Sequence, residues 1–186
     1  MQRKNPPKPT MSIHIIIFAA LIAGAILGGF AAAGFYGHVY FIGQNIYESF
    51  RALDTTVDSS LGFQNSALRH MRTIILVWVL GFLYAGIVFQ ALLIGMRGFF
   101  IGYGVSMFVI RFSVHGLFLA VPAIVLQNIM LIIVLFLIIV NSARQELKFS
   151  EKLMALLLAL ACAIIISLYE TYLSPPICLW LFNRII

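Results

Sequence analysis

The chain has 186 residues, of which 62% are hydrophobic and 10% charged, and its 12 Lys and Arg outnumber its 6 Asp and Glu. Ordinary globular domains are roughly half apolar and about a quarter charged, so this composition excludes a water-soluble fold, which would need a polar shell. Long unbroken apolar runs favour helices over barrel strands. The sequence therefore predicts an all-α, polytopic integral membrane protein with about five transmembrane helices.

The net charge of +6 does not predict a nucleic-acid partner, because the basic residues are scattered between apolar runs and form no basic, aromatic-rich face. We expect the charge to set the topology and to contact anionic membrane lipid. Cys162 and Cys178 lack metal-ligand spacing. The sequence therefore predicts two inert thiols and no cofactor.

The N-terminal region, residues 1–12, is rich in proline and basic residues and predicts a disordered cytoplasmic tail. Residues 13–186 then form a single membrane domain, whose first span covers residues 13–35. The basic flank and the small residues Ala31 to Ala33 also fit a signal peptide with a cleavage site. An apolar run of about 20 residues is long enough to cross a bilayer, so we favour a retained span.

Residues 37–71 form the main polar segment, which we expect on the extracytoplasmic side. Apolar residues from Val39 to Val57 recur at spacings of three and four, with polar residues on the opposite face. This pattern predicts an amphipathic helix that lies on the membrane or docks a partner; packing on the protein's own spans is the alternative. The candidate docking residues are Gln44, Tyr47, Glu48, Arg51, Asp54 and Asp58, with Arg111 from a later turn.

Four more spans follow, at residues 73–93, 98–110, 117–140 and 153–172. The third is short and rich in glycine, which leaves open whether it is tilted, broken or re-entrant. Residues 141–152 form a basic loop. Ser174-Pro175-Pro176 should stop the last helix, which leaves residues 174–186 as an interfacial tail with Trp180 as its anchor.

The orientation follows from the positive-inside rule for short loops, which places the N-terminus in the cytoplasm and, with five spans, the C-terminus outside. The basic residues expected on the inner side are Arg3, Lys4, Lys8, Arg97, Arg144, Lys148 and Lys152. Those expected on the outer side are Arg51, Arg69, Arg72, Arg111 and Arg184. Every lysine of the chain is on the inner side, which favours this orientation.

Two stripes of small residues follow helical spacing. The first contains Ala20, Gly24, Gly28 and Ala32, and the second contains Gly98, Gly102 and Ser106. Small residues let two helix backbones approach closely. We expect the stripes to pack within one protomer, and a homo-oligomer is the alternative use.

Catalytic and metal sites are weakly indicated. Gly104-Val105-Ser106 has the Gly-x-Ser form of intramembrane serine proteases, which also need a histidine base at similar depth. A small serine in a packing groove is the simpler interpretation, so we expect no catalytic residue. A zinc site would draw on His38, His70, His115 and Glu170, but they include no ligand pair at helical spacing, so we expect no metal.

Glu170 lies near the end of an otherwise apolar helix, where burying an unpaired carboxylate would be costly. Arg111 could be its partner if the third and fifth spans touch, and a solvated interfacial glutamate is the alternative. Together with Gln90, Gln127 and Asn128, Glu170 could instead line the path of a transporter or channel subunit.

Several short segments follow one another in a fixed order along the chain. They are Trp78-Val79-Leu80-Gly81, the run from Arg97 to Val105, the run from Gly116 to Ala120, Gln127-Asn128, and the closing Glu170-x-Tyr172-x-Ser174-Pro175. In this order and spacing they resemble the stage II sporulation protein M family. The resemblance covers nearly the whole chain and includes the basic N-terminus and the segment after the first span.

This resemblance implies a role in endospore-forming bacteria, during engulfment of the forespore by the mother cell. Family members act as the membrane component of a peptidoglycan-degrading complex, whose hydrolytic partners are stage II sporulation proteins D and P. We therefore expect a non-catalytic scaffold in the bacterial cell membrane, which recruits and positions these hydrolases at the sporulation septum.

Overall fold

The structure is a computed structural model and describes residues 10–37, 39, 41, 59–83, 86–143 and 148–185. This described part is almost entirely helical and contains no strand, which confirms the all-α class. The helices are α1 (Thr10–Gly34), α2 (Ser59–Leu80), α3 (Gly86–Ala120), α4 (Leu126–Ala143), α5 (Phe149–Leu168) and α6 (Ser174–Ile185). Two π-helical segments, Val121–Val125 and Tyr169–Leu173, join α3 to α4 and α5 to α6.

Three stretches of the described residues are long and apolar enough to cross a membrane: Ile13–Gly34, Gly86–Ser142 and Phe149–Arg184. Large apolar side chains cover the outside of these helices; Phe30, for example, is 73% exposed and Met154 72% exposed. Water would penalise so much exposed apolar surface, whereas hydrocarbon would not. The fold is therefore compatible with a membrane protein.

The stretch Gly86–Ser142 reverses direction near Ser113. As one straight helix its 57 residues would be about 86 Å long, nearly three times the hydrocarbon thickness of about 30 Å. Ser113 has φ 54° and ψ −138°, a conformation that favours glycine and occurs in tight reversals. Just beyond it, Gly116 packs so closely on Phe108 that an added Cβ would overlap the Phe108 carbonyl oxygen.

α1 and α3 lie side by side and run parallel. Gly95 of α3 packs against Ala20 of α1, and further along both helices Gly102 packs against Ala25. α2 and α5 instead run antiparallel, since Ser66 meets Glu170 near one end while Trp78 meets Lys152 near the other.

α4 lies at the centre of the bundle. Its fully buried side chains contact apolar side chains from all the other long helices, and this core also fills the space between α2 and α5. The largest of these buried residues are Ile17, Ile74, Val77, Ile94, Leu131, Leu135, Ile138, Ile139 and Ile166.

The predicted second and third spans are divided differently in the structure. α2 ends at Leu80, a hydrogen-bonded turn follows at 81–83, and α3 begins at Gly86, so residues 73–93 are not one helix. Residues 98–110 lie inside the longer α3. A Cβ at Gly86 would overlap the Leu80 carbonyl oxygen, so glycine is needed at this turn. Because the runs on both sides of the turn are apolar, hydropathy alone predicts one continuous helix.

The ends of the chain also differ from expectation. α1 begins at Thr10, so residues 10–12 are helical, while the rest of the predicted tail lies outside the described residues. The Ser174-Pro175-Pro176 sequence does not stop the helix, because the preceding π-helical segment leads directly into α6. Prolines are tolerated in the first turn of a helix, where an amide donor is not required.

Candidate functional site

The candidate site is built around Glu170, which lies in the π-helical segment between α5 and α6. Pro175 and Pro176 have no amide hydrogen and cannot donate to the carbonyls four residues earlier. The Ser174 amide in turn donates to Tyr169 O, five residues back. Single π-helical turns of this kind occur often at functional sites. Here the wide turn carries Glu170 toward α2.

Both carboxylate oxygens of Glu170 are bound by side chains of α2. Oε1 accepts a hydrogen bond from the guanidinium of Arg69 and forms an ion pair with it. Oε2 accepts from Ser66 Oγ and lies 2.8 Å from His70 Nε2. The three α2 residues have helical spacing of three and four, so they lie on one face of that helix.

Burial differs among the members of this group, which we call the Glu170 cluster (Ser66, Arg69, His70 and Glu170). The side chain of Glu170 is 22% exposed and that of His70 4%, whereas that of Arg69 is 58% exposed. An ionised carboxylate can only accept hydrogen bonds, so His70 Nε2 carries a proton. His70 Nδ1 has no hydrogen-bond partner among the described residues.

A second arginine extends the polar region from α2 to α3. Arg97 donates through Nη2 to Thr73 Oγ1 at 3.1 Å, and the Thr73 hydroxyl donates to Arg69 O at 3.0 Å. Deeper in the same interface, Gln90 Nε2 donates to Val77 O at 2.9 Å. Arg97 was expected in an inner loop, but it lies within α3 and is part of this helix contact.

The π-helical segment that carries Glu170 also contacts the π-helical segment that follows α3. Leu126 donates its amide to Val121 O rather than to Pro122 O. Pro122 O accepts the hydroxyls of Tyr169 at 3.1 Å and of Ser174 at 2.9 Å. The two π-helical segments are therefore joined through one carbonyl oxygen.

The small-residue stripes meet between α1 and α3. A Cβ added at Gly24 or Gly28 would overlap the α3 backbone, and one added at Gly98 or Gly102 would overlap the α1 backbone. Ala32 is fully buried. A Cβ at Gly29 would lie 3.3 Å from Ser106 Oγ, so the serine considered as a nucleophile lies against α1.

The other predicted site residues are spread over the fold. The partners that the structure gives Glu170 lie on α2, whereas Arg111, its expected partner, lies in α3 close to the Ser113 reversal. Asn128 Nδ2 donates to Ile124 O of its own helix at 2.8 Å, and Gln127 Oε1 is buried without a hydrogen-bond partner among the described residues. His115 is exposed.

No group of three or more potential metal ligands is found within the part of the chain that the structure describes. Several predicted residues lie outside the described residues and have no structural description. They are His38 of the metal candidates and the docking residues Gln44, Tyr47, Glu48, Arg51, Asp54 and Asp58.

Ser66 and Arg69 were not predicted as partners of Glu170, Arg97 was not expected in a contact between helices, and His70 was considered only as a metal ligand. One signal could have identified the α2 side of the site. Ser66, Arg69, His70 and Thr73 recur at spacings of three and four, which is a polar stripe on one face of a helix.

Comparison of the chain with protein-family models, with curated proteins and with solved structures finds no match.

Proposed function

We propose that this protein is a non-catalytic membrane scaffold that recruits and positions peptidoglycan hydrolases, namely stage II sporulation proteins D and P, at the septal membrane during forespore engulfment. The observation that supports this proposal best is the role of the closing motif. Glu170 binds three side chains of α2, and Ser174 binds Pro122 O. Residues of the motif that carries the family resemblance thus form hydrogen bonds between helices.

The proposed topology has five crossings, at residues 13–34, 59–80, 86–112, 114–142 and 149–173. Lys152 and Glu170 are 18 positions apart, which corresponds to about 27 Å along a helix, close to the hydrocarbon thickness. α2 runs antiparallel beside α5, and its 22 residues are about 33 Å long, which is enough to cross the hydrocarbon as well. The N-terminus and Lys148 would then face the cytoplasm, and the Ser113 reversal and residues 42–58 would face the wall.

A scaffold needs a rigid base that presents a binding segment in a constant position. The glycine contacts between α1 and α3 hold one of the two helices that flank residues 42–58. The Glu170 cluster holds the other, since the partners of Glu170 all lie on α2. We therefore propose that residues 42–58 dock the extracytoplasmic hydrolases.

The test replaces residues 44–58 with a flexible Gly/Ser linker of equal length and leaves α2 intact from Ser59 onward. Co-purification of the two hydrolases from detergent-solubilised membranes is expected to fall to background, because the linker removes the polar and apolar faces that would contact them. The matched control replaces residues 144–147, between α4 and α5, in the same way, and should retain both hydrolases. Undiminished co-purification with the 44–58 variant in the membrane would refute the docking proposal.

A transporter or channel subunit is the second candidate, favoured by the polar groups that meet between α2, α3 and α5, namely the Glu170 cluster, Arg97 and Gln90. Against it, these groups are hydrogen-bonded to one another or to backbone. A flux assay in liposomes distinguishes the two classes, since a pure scaffold is silent. An intramembrane serine protease ranks below both, because Ser106 lies in the contact between α1 and α3.

A further inference from the structure

Positive charge exceeds negative charge beside the Glu170 cluster. Arg97 lies close to Arg69, since the Thr73 hydroxyl that accepts from Arg97 donates to Arg69 O, and among the described residues one carboxylate, that of Glu170, lies near these two arginines. Both oxygens of that carboxylate are already bound by α2 side chains. The hydrogen bond that the structure gives Arg97 goes to the uncharged Thr73 hydroxyl, although a guanidinium has five donors.

This excess charge lies where α2 and α3 meet at the surface of the bundle. We define the α2–α3 basic edge as Arg69, Arg72, Thr73 and Arg97. Arg69 and Arg72 are exposed, one helical turn apart. The apolar side chains that flank this edge are exposed as well: Leu76 is 48%, Met96 50% and Phe100 61% exposed. An incoming ligand would therefore meet cationic and apolar groups together.

We propose that the α2–α3 basic edge binds the phosphate of an anionic membrane phospholipid, whose acyl chains lie along Leu76 and Met96. A guanidinium matches a phosphate with two parallel charge-assisted hydrogen bonds. A partly buried cation without a full counter-charge is costly in a low-dielectric surrounding, so an added anion stabilises it. Basic pockets between transmembrane helices hold anionic headgroups for this reason. The site goes beyond the scaffold proposal and is independent of hydrolase docking.

Lipid is favoured over a soluble anion or an acidic protein segment by the surroundings of the site. Leu76 and Met96 would gain nothing from a free phosphate ion, whereas acyl chains would cover them. Burial of apolar surface and phosphate binding would then act together in one ligand, since hydrocarbon contact contributes in proportion to the area covered.

The test measures lipid binding to purified, delipidated protein by native mass spectrometry, in micelles that contain equal amounts of phosphatidylglycerol and phosphatidylcholine. The wild-type protein is expected to bind phosphatidylglycerol preferentially. Arg97→Gln, which keeps a donor for Thr73, should weaken that binding about tenfold, as for the loss of one charge-assisted hydrogen bond. Arg97→Lys should retain part of it. The control Arg184→Gln changes an exposed arginine on α6, stacked on Trp180 at 4.9 Å, and should bind as wild type does.

A second variant and a competitor complete the test. Arg72→Gln removes an exposed cation at the edge of the site and is expected to weaken phosphatidylglycerol binding severalfold. This variant tests the proposal even if the Arg97→Gln protein does not fold. Equal binding of both lipids, or unchanged binding in both variants, would overturn the proposal. So would displacement of phosphatidylglycerol by millimolar inorganic phosphate, or by a transmembrane peptide that carries one acidic residue.

Discussion

At the scale of single residues, Glu170 is the side chain that joins α2 to the π-helical segment after α5. It gives a common acceptor to Ser66, Arg69 and His70. Arg69 contributes less, because its exposed side chain can find other hydrogen-bond partners when the carboxylate is removed. His70 contributes more, since it is almost completely buried and its Nε2 would lose its partner without the carboxylate.

We expect Glu170→Ala to lower the free energy of unfolding by about 2–4 kcal/mol, as for the loss of two partly buried hydrogen bonds to a charged group. Glu170→Gln keeps a carbonyl acceptor but loses the charge, so its effect should be intermediate. Unfolding in mild detergent, followed by circular dichroism, measures both variants against the wild-type protein.

Glu151 provides the matched control, because it is an exposed glutamate on α5 that accepts a 3.3 Å hydrogen bond from the Lys148 amide. Glu151→Ala is expected to cost about 0.5 kcal/mol, as surface substitutions do. Equal unfolding of Glu170→Ala and Glu151→Ala would show that the Glu170 contacts contribute no stability.

The sequence was sufficient to single out Glu170, because a carboxylate in an apolar run is unusual. Its partners were missed because residues 37–71 were interpreted as one extramembrane segment, so His70 and Arg69 were assigned to the surface. Their spacing does predict a shared helix face. Which other helix lies opposite that face depends on the order in which the helices pack, and a single sequence carries no periodic signal for that order.

At the scale of elements, the closest contact is the parallel packing of α1 on α3 through glycines. An added Cβ at Gly28 would overlap the Phe99 carbonyl oxygen, whereas Gly34, at the end of the same helix, has open space around it. The backbones approach closely because neither helix carries a side chain in between. Gly28 thus lies inside α1 and is crowded by α3, whereas Gly34 lies at the end of α1 in open space.

We expect Gly34→Ala to leave stability unchanged or to raise it by up to about 1 kcal/mol, since alanine favours helix over glycine. Gly28→Ala has the same intrinsic benefit but should be destabilising by about 1–3 kcal/mol, because the helices must separate to admit the methyl group. Thermal unfolding in detergent compares the two variants directly. An equal stabilisation by both would contradict the observed packing.

The helix boundaries show which parts of the fold hydropathy alone can predict. The first predicted span coincides with a helix, since α1 covers Thr10–Gly34. Residues 73–93 were merged into one span, because the turn at 81–83 consists of apolar residues and glycine. At Ser113 a serine adopts a backbone conformation usual for glycine, so turn composition gave no warning of the reversal.

At the scale of the whole molecule, the contacts between the described helices fall into two groups, one toward each end of the bundle. The Glu170 cluster and the link from Tyr169 and Ser174 to Pro122 lie toward one end. The contact of Trp78 with Lys152 and that of Gly81 with Ser142 lie toward the other. This arrangement supports the proposed five crossings, with the basic residues Lys148 and Lys152 in the cytoplasm.

The proposed topology places residues 42–58 and the Ser113 reversal on the wall side of the membrane and Lys148 in the cytoplasm. Single cysteines at Thr55, His115 and Lys148, in a protein without Cys162 and Cys178, test it by labelling intact cells with a membrane-impermeant maleimide. We expect label at positions 55 and 115 in intact cells, and at position 148 only after permeabilisation. Label at position 148 in intact cells, with positions 55 and 115 protected, would contradict the topology and the docking function that depends on it.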